Sequence, residues 1–168
     1  MPSPPVRPLV RPLDLADEAT AAAVHRIGRA SYAVEAALIG FDGIPALRED
    51  LQEMRDRPLR WLGAVSGGGE IAGFLAWAEE DGGGIGVDRL CVDPAWFRRG
   101  VASLLMRHLL AESFPERAVE VSTGAANAPA VALYEGLGFV RGEDFSPVPG
   151  LRMAHFTRPA PTGREEAS

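Results

Sequence analysis

A chain of 168 residues has room for one domain with a sizeable core, and its formal charge of −6 argues against non-specific nucleic-acid binding. All 17 basic residues are arginine, which excludes chemistries that rest on lysine: a Walker A loop, Schiff-base catalysis and the protein-kinase phosphate contact. No apolar run approaches the ~20 residues that span a bilayer, and the single cysteine, Cys91, has no partner for an internal disulfide and no zinc-ligand pattern around it.

The N-terminal "MPSPPVRPLVRP" is Pro-rich and has no apolar signal core, so the expectation is a cytoplasmic protein with no membrane partner. "VRPLVRPLD" reads as a short strand whose prolines suit a sheet edge. "DLADEATAAAVHRIGRASYAVEAAL" reads as a helix capped by Asp14 or Asp17, and "PALREDLQEMRDRP" as a second, short helix that stops before Pro58. The period then changes to that of strands. "RWLGAVSGGGEIAGFLAWAEED" makes a hairpin around Gly67 to Gly69, and "IGVDRLCVD" follows as a largely buried strand in which Cys91 is a core thiol.

Helical spacing returns at Val101, Leu104, Leu105 and Leu109 and carries a helix to about Ser113. "AVEVST" is the next strand, Asn127 and Pro129 open another helix, and "GLGF" closes it. "GEDFSPV" and "LRMAHFTR" form a final strand pair. Residues 1–158 are thus expected as a single domain, with 159–168 a mobile polar tail.

The stretch "VDPAWFRRGVASLL" joins a strand to a helix, and a helix N-terminus offers unpaired N–H groups and about half a positive charge to an anion. Gly100 allows close approach to the backbone, and Arg98 and Arg99 add fixed charge. About 25 residues further on stands "NAPAVALYEGLGF", with Asn127, the only asparagine of the chain, and Tyr134. Taken singly, these residues are a helix N-cap and a core aromatic. Taken together with the arginine-glycine turn, they resemble the GCN5-related N-acetyltransferase (GNAT) superfamily, over roughly Ile85 to Phe139.

That resemblance implies an α/β fold with a mixed, mostly antiparallel sheet of about six to seven strands, its central strands splayed, flanked by about four helices. It implies acetyl-CoA as co-substrate and an amine acceptor, small molecule or protein amine, and it leaves a homodimer open. The family signature has Gln or Arg, two residues, Gly, one residue, then Gly or Ala. Gly100 and Ala102 match, while Phe97 stands at the first position. The residues implied at the cofactor are the backbone from Arg98 through Arg99, Gly100, Val101 and Ala102 to Ser103 for the pyrophosphate. Leu90, Cys91 and Val92 would pair with the pantetheine arm, and Asn127 and Tyr134 would stand near the thioester.

The implied reaction is direct attack of a neutral amine, with Tyr134 protonating the leaving thiolate. Some family members use a glutamate as base on the central strand. The matching position is Gly86, and strict alternation carries the same face to Asp88. Asp88 is therefore a candidate base, beside an ordinary ion-pairing role for it and beside water relayed to a backbone carbonyl or another acid. A non-catalytic acyl-CoA sensor on the same fold is the competing reading. The glycine clusters do not form a dinucleotide fingerprint, and the histidines and carboxylates show no metal-ligand spacing, so no metal is expected. His25 and Tyr32, on the first helix, are read as packing residues, as are Trp61, Trp77 and Trp96.

Overall fold

The computed structural model describes residues 7–161. Positions 1–6 and 162–168, which include most of the expected tail, lie outside the described residues.

Strand β1 (Leu9–Pro12) is followed by helices α1 (Glu18–Ile39) and α2 (Leu51–Arg55), then by β2 (Arg60–Val65), β3 (Ile71–Glu79) and β4 (Ile85–Val92). Helix α3 (Val101–His108) continues through a π-turn to Ser113, and β5 (Val119–Gly124), α4 (Ala128–Gly136), β6 (Val140–Arg141), β7 (Phe145–Val148) and β8 (Leu151–Arg158) complete the chain. The sheet has eight strands in the order β1-β2-β3-β4-β5-β8-β6, with β7 also paired to β8. Every pairing is antiparallel except β4 with β5. The expected six to seven strands become eight because Val140 and Arg141 form a two-residue strand on β8, too short to leave a periodic trace in the sequence.

Local chemistry accounts for the helix ends. Asp17, the cap of α1, accepts from the backbone N–H of Thr20 at 3.0 Å and from its hydroxyl at 2.7 Å, and Gly40 ends the helix with φ +66°. Asp50 and Glu53 form a reciprocal capping box that lets α2 persist at five residues. Pro12 sits in the edge strand β1, where a missing donor is tolerated.

Two apolar layers cover the two faces of the sheet. Ala21, Val24 and Ile27 of α1 pack with Phe74, Trp61 and Cys91 on one side. Val101, Leu105, Met106 and Leu109 of α3 and its continuation pack with Leu75, Ile85, Val119 and Phe156 on the other. Each fully buried Val, Leu, Ile, Met or Phe side chain among these contributes about 1.5–3 kcal/mol by leaving water.

Strand β4 lies at the centre and is irregular. Ala76 pairs with Arg89 and Trp77 with Val87, so Asp88 is an extra residue with no partner on β3. Such a bulge shifts the alternation by one. Ile85 and Val87 face the α3 layer, and beyond the bulge that face passes to Leu90 and Val92, while Cys91 turns toward α1. The extra residue is Asp88 itself, so the change of face shows in the residues that follow it.

Candidate active site

β4 and β5 are paired only from Ile85↔Val119 to Val87↔Val121, although β4 runs on to Val92 and β5 to Gly124. Past that point the facing edges have no strand partner, and a cavity of about 830 Å³ occupies the gap. Its size lies in the usual range for small-molecule sites. Leu90 and Val92 wall it on one side, with Val121, Ser122 and Thr123 on the other.

One end of the cavity is the turn into α3. Arg98 has φ +64° and Gly100 has φ +73°, so two left-handed residues flank Arg99. For an arginine that conformation costs about 1–2 kcal/mol, and strain of this kind concentrates where backbone must be aimed at a ligand. The backbone N–H groups from Arg98 to Ser103 donate to no backbone acceptor among the described residues. A Cβ added to Gly100 would meet nothing within 4 Å, so the approach to these amides is open. Arg98, Gly100, Val101, Ala102 and Ser103 line the cavity. Arg99 instead lies over the Trp96 ring at 5.0 Å. This end suits an anion, and the apolar gap behind it suits an extended arm; the donor set fits a coenzyme A pyrophosphate and its pantetheine.

Tyr134 stands at the other side of the gap, carried by α4 and almost fully buried. Its ring meets Phe139 at 5.8 Å and Phe156 at 5.4 Å. Burial, then the nearby Glu35 and Cys91, push the phenol above its ordinary range, so it stays protonated at neutral pH. Asn127 caps α4 by accepting from Ala130 N–H at 3.3 Å and donates to the Thr123 hydroxyl at 3.4 Å, while also lining the cavity. The Cys91 thiol faces α1 and is pushed up to about 12 by burial, which makes it an inert core thiol, and Cys91 is not among the residues that line the cavity.

Asp88 lines the cavity from the bulge, half-exposed, and accepts from Arg89 Nε at 2.9 Å. Arg89 is buried and held by Glu49, whose carboxylate accepts from Nη1 at 2.6 Å and Nη2 at 2.9 Å. Burial opposes the Arg89 charge, yet the Glu49 hydrogen bonds and the Tyr32 and Asp88 contacts hold its pKa above the usual value. His25 lies away from the reacting end, with Nε2 at 2.9 Å from the Glu49 carbonyl. Tyr32, by contrast, does line the cavity.

Several polar groups escaped sequence reasoning because tertiary pairing brings them together. Glu35 of α1 reaches across to β5, accepting from the Thr123 hydroxyl at 3.3 Å and Gly124 N–H at 3.4 Å. Ser122 Oγ lies 3.0 Å from His155 Nδ1, and His155 Nε2 lies 3.5 Å from Glu120. A hydrogen bond with Glu120, aided by burial and repulsion, pushes Glu80 up to about 7, and its carboxylate lies 3.3 Å from where a Cβ of residue 86 would stand. The hairpin thus returns a carboxylate beside the position that lacks one. Among the described residues no helix is long and apolar enough to cross a membrane, and no group of His, Cys, Asp and Glu is arranged to hold a metal ion.

Residues 23–139 match the acetyltransferase (GNAT) family. A curated relative, the UPF0157 protein YqkA of Bacillus subtilis (strain 168), is 32% identical over 126 residues, 75% of this chain, and the chain spans only 36% of that protein's length. A solved structure of histone acetyltransferase HPA2 and related acetyltransferase from Corynebacterium glutamicum superposes with a TM-score of 0.74 at 16% identity, covering 95% of this chain and 99% of that one. The ribosomal-protein-S18-alanine N-acetyltransferase from Escherichia coli superposes with a TM-score of 0.71 at 18% identity, covering 95% and 98%. At these identities the two structures share the fold with this chain.

Proposed function

The chain belongs to the acetyltransferase (GNAT) family, and from that premise we propose that it transfers the acetyl group of acetyl-CoA to a primary amine by direct attack. The observation that carries this reading is the pairing of two ends in one cavity: unpaired amides from Arg98 to Ser103 at one, and the neutral phenol of Tyr134 at the other.

In this reading the pyrophosphate takes the α3 amides and Arg98, and the pantetheine arm lies along Leu90, Cys91 and Val92 with Asn127 opposite. The acceptor enters from the α1 side as an ammonium and gives one proton to Asp88, which passes it to solvent. The neutral nitrogen attacks the thioester carbon. A β4 backbone N–H holds the oxyanion, a contact of a kind worth about 2.7–4 kcal/mol. Collapse breaks the C–S bond, the thiolate takes the Tyr134 proton, and the second proton on the new amide nitrogen restores the phenol. The products are amide, free CoA thiol and one proton.

Thermal unfolding in the presence of acetyl-CoA, CoA, NAD and ATP tests the reading. A ligand at about 100 times its dissociation constant adds roughly 2.7 kcal/mol and raises the midpoint by several degrees. Both CoA species are expected to do so and NAD and ATP are not; no shift with either CoA species overturns the proposal. A CoA shift with no thiol release across an amine panel would favour the non-catalytic sensor.

A further inference from the structure

Resting on the amine-acetyltransferase reading, we propose that Glu35 is the anchor for the acceptor's ammonium group and that the acceptor is a small primary amine with an apolar body.

The cavity is divided by the chemistry of its walls. Toward α3 it presents amides and Arg98. Toward α1 and β7 it presents Val34, Leu38, Ile44, Phe145 and Val148, with Glu35 among them. Val34, Leu38, Phe145 and Val148 are 37%, 50%, 44% and 46% exposed, unusual for large apolar side chains that converge from two separate elements on one opening. Single exposed apolar residues need no explanation, but a contiguous set around a cavity mouth marks a surface that is covered in use.

Glu35 is the polar group within that set. Only its Oε1 is engaged, by Thr123 and Gly124, and it has no arginine or histidine partner among the described residues. Among the described residues Oε2 accepts no hydrogen bond and is not cut off from solvent, and Glu35 lines the cavity. The two contacts to β5 fix the carboxylate at the splay. The cation that lines the same half, Arg89, is neutralised by Glu49 and Asp88. A half-buried, pre-positioned carboxylate with one free oxygen, ringed by apolar side chains, complements an ammonium on a hydrocarbon body and disfavours a polycation or a polyhydroxyl amine. Glu35 also contributes to the raised pKa of Tyr134, which puts the two groups within electrostatic reach.

The test measures CoA thiol release at saturating acetyl-CoA with hexylamine, 2-phenylethylamine, ethanolamine, spermidine and a peptide with N-terminal leucine. The apolar monoamines are expected to exceed the other three by about tenfold or more in kcat/KM. Glu35→Gln should raise their KM by about tenfold, the loss of a charge-assisted hydrogen bond, and leave the KM for acetyl-CoA unchanged. Leu38→Ser, at an exposed position, should weaken the apolar amines alone. Equal or better rates with ethanolamine, spermidine or the peptide overturn the assignment, as does an unchanged amine KM in Glu35→Gln. If no amine turns over, 2-phenylethylamine must still raise the unfolding midpoint of the CoA complex, and Glu35→Gln or Leu38→Ser must abolish that rise. Its absence overturns this inference while a CoA shift keeps the cofactor reading intact.

Discussion

A phenol buried against Phe139 and Phe156 has lost most of its hydration, and the uncharged form gains from that loss. Tyr134 therefore carries its proton at neutral pH, the state that the proposed role of general acid needs. Tyr134→Phe keeps the ring and its packing and removes only the hydroxyl. It is expected to lower kcat by about 10²- to 10⁴-fold while the CoA-induced rise in unfolding midpoint persists, as read by thiol release and thermal unfolding of the same variant. Unchanged kcat would remove Tyr134 from the mechanism. At this scale Asn127 and Gly100 stood out in the sequence because each is a residue type with a narrow use at a helix end, whereas Tyr134, singly a core aromatic, stood out only through the motif that resembles the family. Glu35 did not, since a glutamate on a long helix is ordinarily solvated and only the fold brings it to Gly124.

The junction of β4 and α3 shows how elements position the site. Asp93 N–H donates to the Ala72 carbonyl at 2.9 Å and its carboxylate accepts from Ala95 N–H at 3.0 Å, which fixes the turn after β4. The start of α3 presses on β3 at Gly73, where an added Cβ would fall 2.8 Å from the Cys91 carbonyl and 2.9 Å from Val101 Cγ1. Gly73→Ala forces β3, β4 and α3 apart and is expected to cost about 1–3 kcal/mol, measured by urea unfolding. A loss under about 0.5 kcal/mol would mean that the contact relaxes freely. CoA binding should weaken as well, because the displaced residues carry the amides of α3. The starts of α1 and α4 were legible as caps, whereas the Asp50 cap of α2 and the bulge at Asp88 were not. A bulge is a property of two strands in register, and β4 alone contains no residue that requires it.

Across the whole molecule, Glu49 ties the segment between α1 and α2 to the central strand. It bonds Arg89 of β4 and accepts from Arg57 Nε at 2.7 Å, while its carbonyl meets His25 of α1. The hydrogen bonds from Arg89, and after the opposing effect of burial those from Arg57, hold the Glu49 carboxyl below its ordinary value. Glu49→Ala leaves Arg89 buried with only Asp88 and is expected to destabilise the fold by about 3–5 kcal/mol in urea unfolding. A depressed carboxyl stabilises above its unfolded-state pKa, about 4.3, and that contribution disappears as pH falls through the folded value. The wild type should therefore lose stability below about pH 4.3 more steeply than Glu49→Ala does; parallel acid profiles would show that the pair carries no such linkage.

The sequence by itself determined the order of elements apart from the two-residue β6, and the caps that start α1 and α4, because each depends on local periodicity and on hydrogen bonding at a few neighbouring residues. Tertiary structure decided the depth of the splay, the bulge that re-aims β4 and the meeting of Glu35 with β5. It also set the Glu49–Arg89 pair and the Ser122, His155 and Glu120 contacts. Those features join residues far apart in the chain, and their energies come from register, desolvation and charge pairing that exist only once the strands have closed on one another.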